Sequence, residues 1–184
     1  MKKRRNRDIN HFIQKCHVCQ ENKYDTTANP GLLQPLPIPQ TIWQHITMDF
    51  IKGLLNSKDK QVIFVVVDQP STTAHFMALT HPYTTRNVVQ AFLDNVFRFH
   101  GFMETITSDR DSFFCEPILS RIYGSTRGAN STFHKLSPPN IWANQSFDMC
   151  LKTYLGCMCV NSSHKWVKWL PLVEWWYNHG SQTR

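Results

Sequence analysis

The stretch "QVIFVVVD", residues 61–68, is a near-continuous β-branched run that closes on an aspartate. Such a run, with no polar alternation, marks a strand buried on both faces, and therefore a sheet covered by helices. Upstream, "IWQHITMDFI" (42–51) is apolar enough for a second buried strand ending near Asp49. Downstream, "AHFMAL" (74–79) reads as a third strand. "TTRNVVQAFLDNVFRFHG" (84–101) places Val88, Phe92, Val96 and Phe99 at helical spacing, with Gly101 as the stop. "ETIT" (104–107) is a short fourth strand feeding Asp109, and residues 144–159 and 165–179 read as two helices. Strands first, then strand and helix mixed, predict an α/β domain.

The chain of 184 residues fits one domain and a small appendage, and 41% apolar content is enough for a core. Its net charge of +7 is uneven. Lys2, Lys3, Arg4, Arg5, Arg7, Lys15 and Lys23 face only Asp8 and Glu21 within the first 23 residues. Such a basic run favours polyanions, nucleic acid above all, although a solvated helical face would carry the same residues. Residues 25–41, with four prolines and a glycine, predict a stiff linker between a segment 1–24 and a larger module 42–184. No apolar run reaches the ~18–20 residues of a membrane span, and no secretory leader is evident, so the expectation is an intracellular protein. The six cysteines are expected to be reduced, with Cys16 and Cys19 a separate case.

In α/β sheets, chemistry gathers at strand ends, where Asp49, Asp68 and Asp109 are all predicted to lie. Each alone is more ordinarily a turn or capping residue. Two of them from different strands, aimed at one point, would make an oxygen-rich site for Mg²⁺ or Mn²⁺.

The blocks "CHVCQENK", "GLLQPLPIP", "IWQHITMDFIKGL", "VIFVVVDQPSTTAHFMAL", "FRFHGF", "SDRDSFF", "CLKTYLGC" and "KWVKWLPLVEWWYN" follow one another along nearly the whole chain. In that order they resemble the integrase region of Ty3/gypsy-type LTR retrotransposon polyproteins. The resemblance implies a ribonuclease H-like core, a mixed five-stranded sheet flanked by helices, after the end of a His-His-Cys-Cys zinc domain. It also implies a D,D-35-E carboxylate triad holding two Mg²⁺ or Mn²⁺ ions for polynucleotidyl transfer, with DNA as partner, a homodimer and the nucleus as the place of action. Residue by residue, the first two carboxylates match Asp49 in "TMDF" and Asp109 in "TSDRD", and Asp111 falls on a variable loop position. The third place, 35 residues on, holds Gln145. Counting back from "CLKTYLGC" reaches the same residue.

Several departures cluster there. Where the family has a stretch like "HPQTDGQTE", this chain reads "KLSPPNIWANQ", and the Gly-, Ser- and Asn-rich block before it puts the fifth strand in doubt. Glutamine keeps the shape of glutamate without its charge, which predicts a loss of ~10²–10³ in rate or more. Asp148 lies one turn on, displaced by about 5 Å, and is not expected to substitute. In the zinc half-site, Cys16 and Cys19 have only His11 and His17 nearby, so Zn²⁺ is not expected. Cys150 and Cys157 read as buried thiols, Glu174 as a surface or salt-bridge carboxylate rather than a catalytic one, and His75 and His100 as ordinary polar neighbours. The tryptophans at 166, 169, 175 and 176 read as core or dimer-face residues. The expected protein is therefore a shortened, degenerate integrase core inactive for strand transfer. The alternatives are a non-catalytic nucleic-acid-binding remnant, with Lys2, Lys3, Arg4, Arg5 and Arg7 as contacts, and a decayed fragment without a selected role.

Overall fold

The computed structural model describes residues 2–21, 41–108, 132–135, 151–159 and 163–180. The central "QVIFVVVD" run is β2, Val62–Asp68, and every residue but Val67 is buried. It pairs antiparallel with β1, His45–Ile51, on one side and with β3, Ala74–Leu79, on the other. The chain then crosses over through helix α3 and returns as β4, Thr105–Ser108, parallel to β1. A four-residue β5, Thr132–Lys135, adds parallel to β4, giving the order β3-β2-β1-β4-β5. The edge strand that the Gly-, Ser- and Asn-rich block put in doubt is thus kept at minimal length. The mixed sheet flanked by helices agrees with the predicted α/β class.

Each face of the sheet carries its own apolar layer. Ile46, Met48, Phe64 and Val66 face α3, where they meet Val88, Phe92 and Val96. Ile51, Ile63, Val65 and Phe76 face two C-terminal helices. These are α4, helical over 151–158, and α5, Trp166–Gly180. Leu151 and Leu155 of α4 and Trp166, Leu170 and Val173 of α5 complete that second layer. A strand between two such layers has no polar face, which is why β2 reads as an unbroken apolar run.

Helix α3 comprises Thr85–Phe92, a π-helical stretch Leu93–Phe97 and a last turn Arg98–His100. It begins with a reciprocal capping box between Thr84 and Asn87. It ends at Gly101, whose φ of 75° is the left-handed backbone glycine adopts without strain. The π stretch corrects one expectation. Phe99, placed on the inner stripe by α-helical spacing, is 61% exposed. A π turn widens the repeat, so the inward series steps by four through Val88, Phe92 and Val96. His100 takes the next inward place, and Phe99 is rotated out.

At the N-terminus, Lys2–Lys15 forms α1 and His17–Glu21 forms the short α2. The predicted linker at 25–41 lies outside the described residues.

Candidate functional site

Asp49 sits near the C-terminal end of β1. Side chains alternate along a strand, and Met48 faces α3 whereas Ile51 faces α4 and α5. Asp49 therefore projects to the α4 and α5 side, where it is half-buried. Its Oδ1 accepts from the backbone N–H of Phe50 at 2.7 Å. Two residues back on the same face, Thr47 lies beside Thr107 in the parallel β1–β4 register. Gln69 bridges the two, its Nε2 donating to Thr47 Oγ1 at 3.2 Å and to Thr107 Oγ1 at 3.4 Å. The described register ends with Met48 opposite Ser108, the residues that precede Asp49 and Asp109 in the chain. Asp109, Asp111, Gln145 and Asp148 themselves lie outside the described residues. Among the described residues, no group of three His, Cys, Asp or Glu side chains could hold a metal ion.

The third strand-end aspartate has a different role. Asp68 closes β2 at the end of the sheet away from Asp49, opposite Ile46 at the start of β1. It is fully buried, its Oδ1 accepting from Trp43 N–H at 2.9 Å and its Oδ2 from the Ser71 N–H and hydroxyl at 3.0 and 2.6 Å. Three donors on one carboxylate build the β2–β3 turn. Asp68 is the turn-forming aspartate, not a member of the Asp49 site.

Cys16 and Cys19 share a hydrogen bond at the start of α2. The Cys19 backbone N–H and thiol draw the Cys16 thiol below its ordinary value, and the same sharing pushes Cys19 up. His17 turns away from them, its Nδ1 lying 3.3 Å from Glu21. Cys157 on α4, expected as a buried thiol, is half-buried and adds a smaller upward push on Cys19. Arg7 is exposed on α1, while the side chains of Lys2, Lys3, Arg4 and Arg5 lie outside the described set.

Glu174 is the salt-bridge carboxylate expected, but its neighbourhood was not legible. Its Oε2 accepts from the backbone N–H of Phe76 at 3.0 Å, and its Oε1 from His75 Nδ1 at 3.0 Å. One turn on, Asn178 receives the N–H of Ala74 at 2.8 Å and donates to the Ala74 carbonyl at 2.9 Å. Two side chains of α5 thus occupy backbone groups along the free edge of β3, which would otherwise be open to strand pairing. Behind them, His75 Nε2 meets His100 Nε2 at 2.9 Å, and Trp43 stacks on His100 with ring centroids 3.6 Å apart. Burial, and next the charge of His75, hold His100 below its ordinary value, with Asp68 opposing. The one signal in the sequence was the four-residue step on α3 that continues from Val96 to His100.

No family model matches the chain. The Transposon Tf2-3 polyprotein of Schizosaccharomyces pombe is 27% identical over 173 residues, 94% of this chain and 13% of that polyprotein. The Tf2-4 polyprotein of the same yeast matches to the same extent. Among solved structures, the HTLV-2 integrase catalytic core domain in complex with magnesium, in a dimeric form, has a TM-score of 0.51 at 16% identity. That match covers 74% of this chain and 87% of the viral one. A simian T-cell lymphotropic virus intasome in complex with the PP2A regulatory subunit B56 gamma gives 0.53 at 14% identity, covering 90% and 54%. The homologues are Ty3/gypsy-type polyproteins, of which the chain spans about an eighth, and the fold is that of retroviral integrase catalytic cores, ribonuclease H-like.

Proposed function

We propose that this chain is an integrase core whose carboxylate site, Asp49 with Asp109, has lost its third member at Gln145 and no longer performs strand transfer. The observation that supports the reading is the β1–β4 register, which pairs Met48 with Ser108, the residues that immediately precede Asp49 and Asp109 in the chain. Helix α4 packs Leu151 and Leu155 into the same layer as Ile51, so the face that bears Asp49 is the face α4 covers. Gln145 lies six residues before Leu151 in the chain.

Carboxylate oxygens suit a hard divalent cation such as Mg²⁺ or Mn²⁺, and Asp49 is half-buried rather than sealed. Asp49, Asp109 and the residue at 145 would hold it; bound there, such ions activate the attacking oxygen and stabilise the leaving one. The protein's share is to fix the carboxylates rigidly. Thr47, Gln69 and Thr107 cross-link the two strands one step behind Asp49. An uncharged amide at 145 removes one negative charge from the set, leaving two carboxylates where the family uses three.

A Mn²⁺-dependent disintegration assay on branched DNA tests this, since it asks only the core to act. The unmodified chain is expected to be inactive, Gln145→Glu to gain activity, and Gln145→Glu with Asp109→Asn to lose it. Activity in the unmodified chain that Asp109→Asn abolishes would overturn the inactive assignment. Silence throughout would reject an intact site and leave the non-catalytic reading.

That second reading, sequence-independent nucleic-acid binding in a nuclear setting, draws on the basic residues of α1, where Arg7 is exposed. Cys16 and Cys19 would supply only the thiolate half of a zinc site, and of the two histidines near them in the chain His17 lies against Glu21, so no step is assigned to zinc. Self-association is the third element of the proposal. Asn95 of α3 and Leu170, Pro171 and Trp175 of α5 border an open groove; Trp175 in its lining is 58% exposed, and Phe99 elsewhere on α3 is 61% exposed. Large aromatic side chains left in water on two adjacent helices suit a second copy of the chain.

A further inference from the structure

Four side chains from four separate elements meet behind the free edge of the sheet. Trp43 comes from the turn before β1, His75 from β3, His100 from the end of α3 and Glu174 from α5. They form a continuous line. The Glu174 carboxylate accepts from His75 Nδ1–H at 3.0 Å, His75 Nε2 meets His100 Nε2 at 2.9 Å, and the His100 ring lies flat on Trp43 with 7° between planes. Phe99 covers His75 at 6.4 Å between ring centroids. We propose that the Glu174–His75–His100 line is an acid-sensitive latch that fastens the end of α3 and helix α5 to strand β3, and that opens when His100 takes up a proton.

The chemistry follows from counting protons between the rings. A carboxylate can only accept, so His75 Nδ1 carries hydrogen. In the neutral pair His75 Nε2 is then bare, and His100 Nε2–H donates to it. One added proton still leaves an acceptor nitrogen between the rings. A second leaves two N–H groups facing across 2.9 Å with no acceptor between them. That contact must break.

Burial and, next, the charge of His75 from β3 oppose that second proton, while Asp68, acting from the end of β2 with its carboxylate already committed to three donors, favours it; Glu174 from α5 lies beyond His75. On its own helix Arg98 lies over Phe99 instead. His45 and Glu104 at the start of β1 and β4 form a separate pair at 3.8 Å. Burial is the largest influence on His100, and it lowers proton affinity from the ordinary 6.5. The unfolded chain therefore binds this proton more readily than the fold does. Stability from the latch is fully present above pH 6.5 and is lost as pH falls below it toward the folded value.

The test uses the full chain, followed by NMR from above pH 6.5 to well below it but above the carboxylate range. Imidazole ¹⁵N shifts should show His75 protonated at Nδ1 and His100 protonated at Nε2 in the neutral state. On acidification, the Phe76 amide, which donates to Glu174, should lose protection by about tenfold or more relative to the Phe64 amide in β2, the factor expected when a hydrogen bond to a charged group is lost. In His100→Gln, whose side chain can donate but not titrate, that selective loss should disappear. If that variant does not fold, the wild-type tautomers and the Phe76-to-Phe64 ratio decide alone. Equal protection of Phe76 and Phe64 throughout, an unprotonated His75 Nδ1 at neutral pH, or the same acid loss in folded His100→Gln would overturn the latch.

Discussion

A single side chain can have the right type, sit at the right kind of strand end and still do something else. Asp49 lies two residues before the end of β1 and Asp68 closes β2, yet they stand toward opposite ends of the antiparallel β1–β2 pair. Their surroundings then separate them further. Asp49 is half-buried on the α4 side, whereas Asp68 is sealed and saturated by Trp43 and Ser71. Replacing Asp68 with alanine leaves two buried backbone N–H groups without an acceptor. It is expected to cost about 2–4 kcal/mol, read as a lowered midpoint in urea unfolding with an unchanged slope. Asp68→Ala as stable as the parent would mean the turn does not depend on that carboxylate.

Among the elements, α5 shows best what local pattern conveys and what it hides. Its apolar positions announced a helix, and the structure places it at Trp166–Gly180 with Trp166, Leu170 and Val173 buried. Trp166 also donates to the Leu55 carbonyl at 2.7 Å, satisfying the ring nitrogen of a buried indole. Nothing local says that Glu174 and Asn178, one turn apart, would seal the edge of β3. That depends on the angle at which the helix crosses the strand. Asn178→Ala frees the Ala74 N–H and carbonyl together and is expected to destabilise the fold by about 1–3 kcal/mol. Light scattering should detect faster aggregation through the exposed edge. Unchanged stability and solubility would show that the edge needs no cover.

For the whole molecule, the basic N-terminal segment sets the expected behaviour toward DNA. If Lys2, Lys3, Arg4, Arg5 and Arg7 each neutralise a phosphate, replacing all five with glutamine should flatten the dependence of log affinity on log salt by about four. Fluorescence anisotropy with a short duplex measures this, and an unaltered slope would remove α1 from the interface. Sedimentation of the same chain, with and without Trp175→Glu, checks self-association through the α3–α5 groove.

The sequence by itself determined the class of fold and most of its elements. Burial on both faces leaves an unbroken apolar run in β2, and apolar residues at helical spacing with a glycine stop mark α3; such signals are local, so they survive in one dimension. It also nominated Asp49, Asp109 and Gln145 by ordered resemblance and by counting, and of these the structure describes Asp49, two residues before the end of β1. The tertiary structure alone decided which strand-end aspartate is structural, since strand direction and pairing place Asp68 at the far end from Asp49. It alone turned Phe99 outward and His100 inward, because a π turn is invisible to α-helical spacing. And it alone joined His75, His100 and Glu174, residues 25 and 99 positions apart along the chain, through contacts that exist only after the helices close over the sheet.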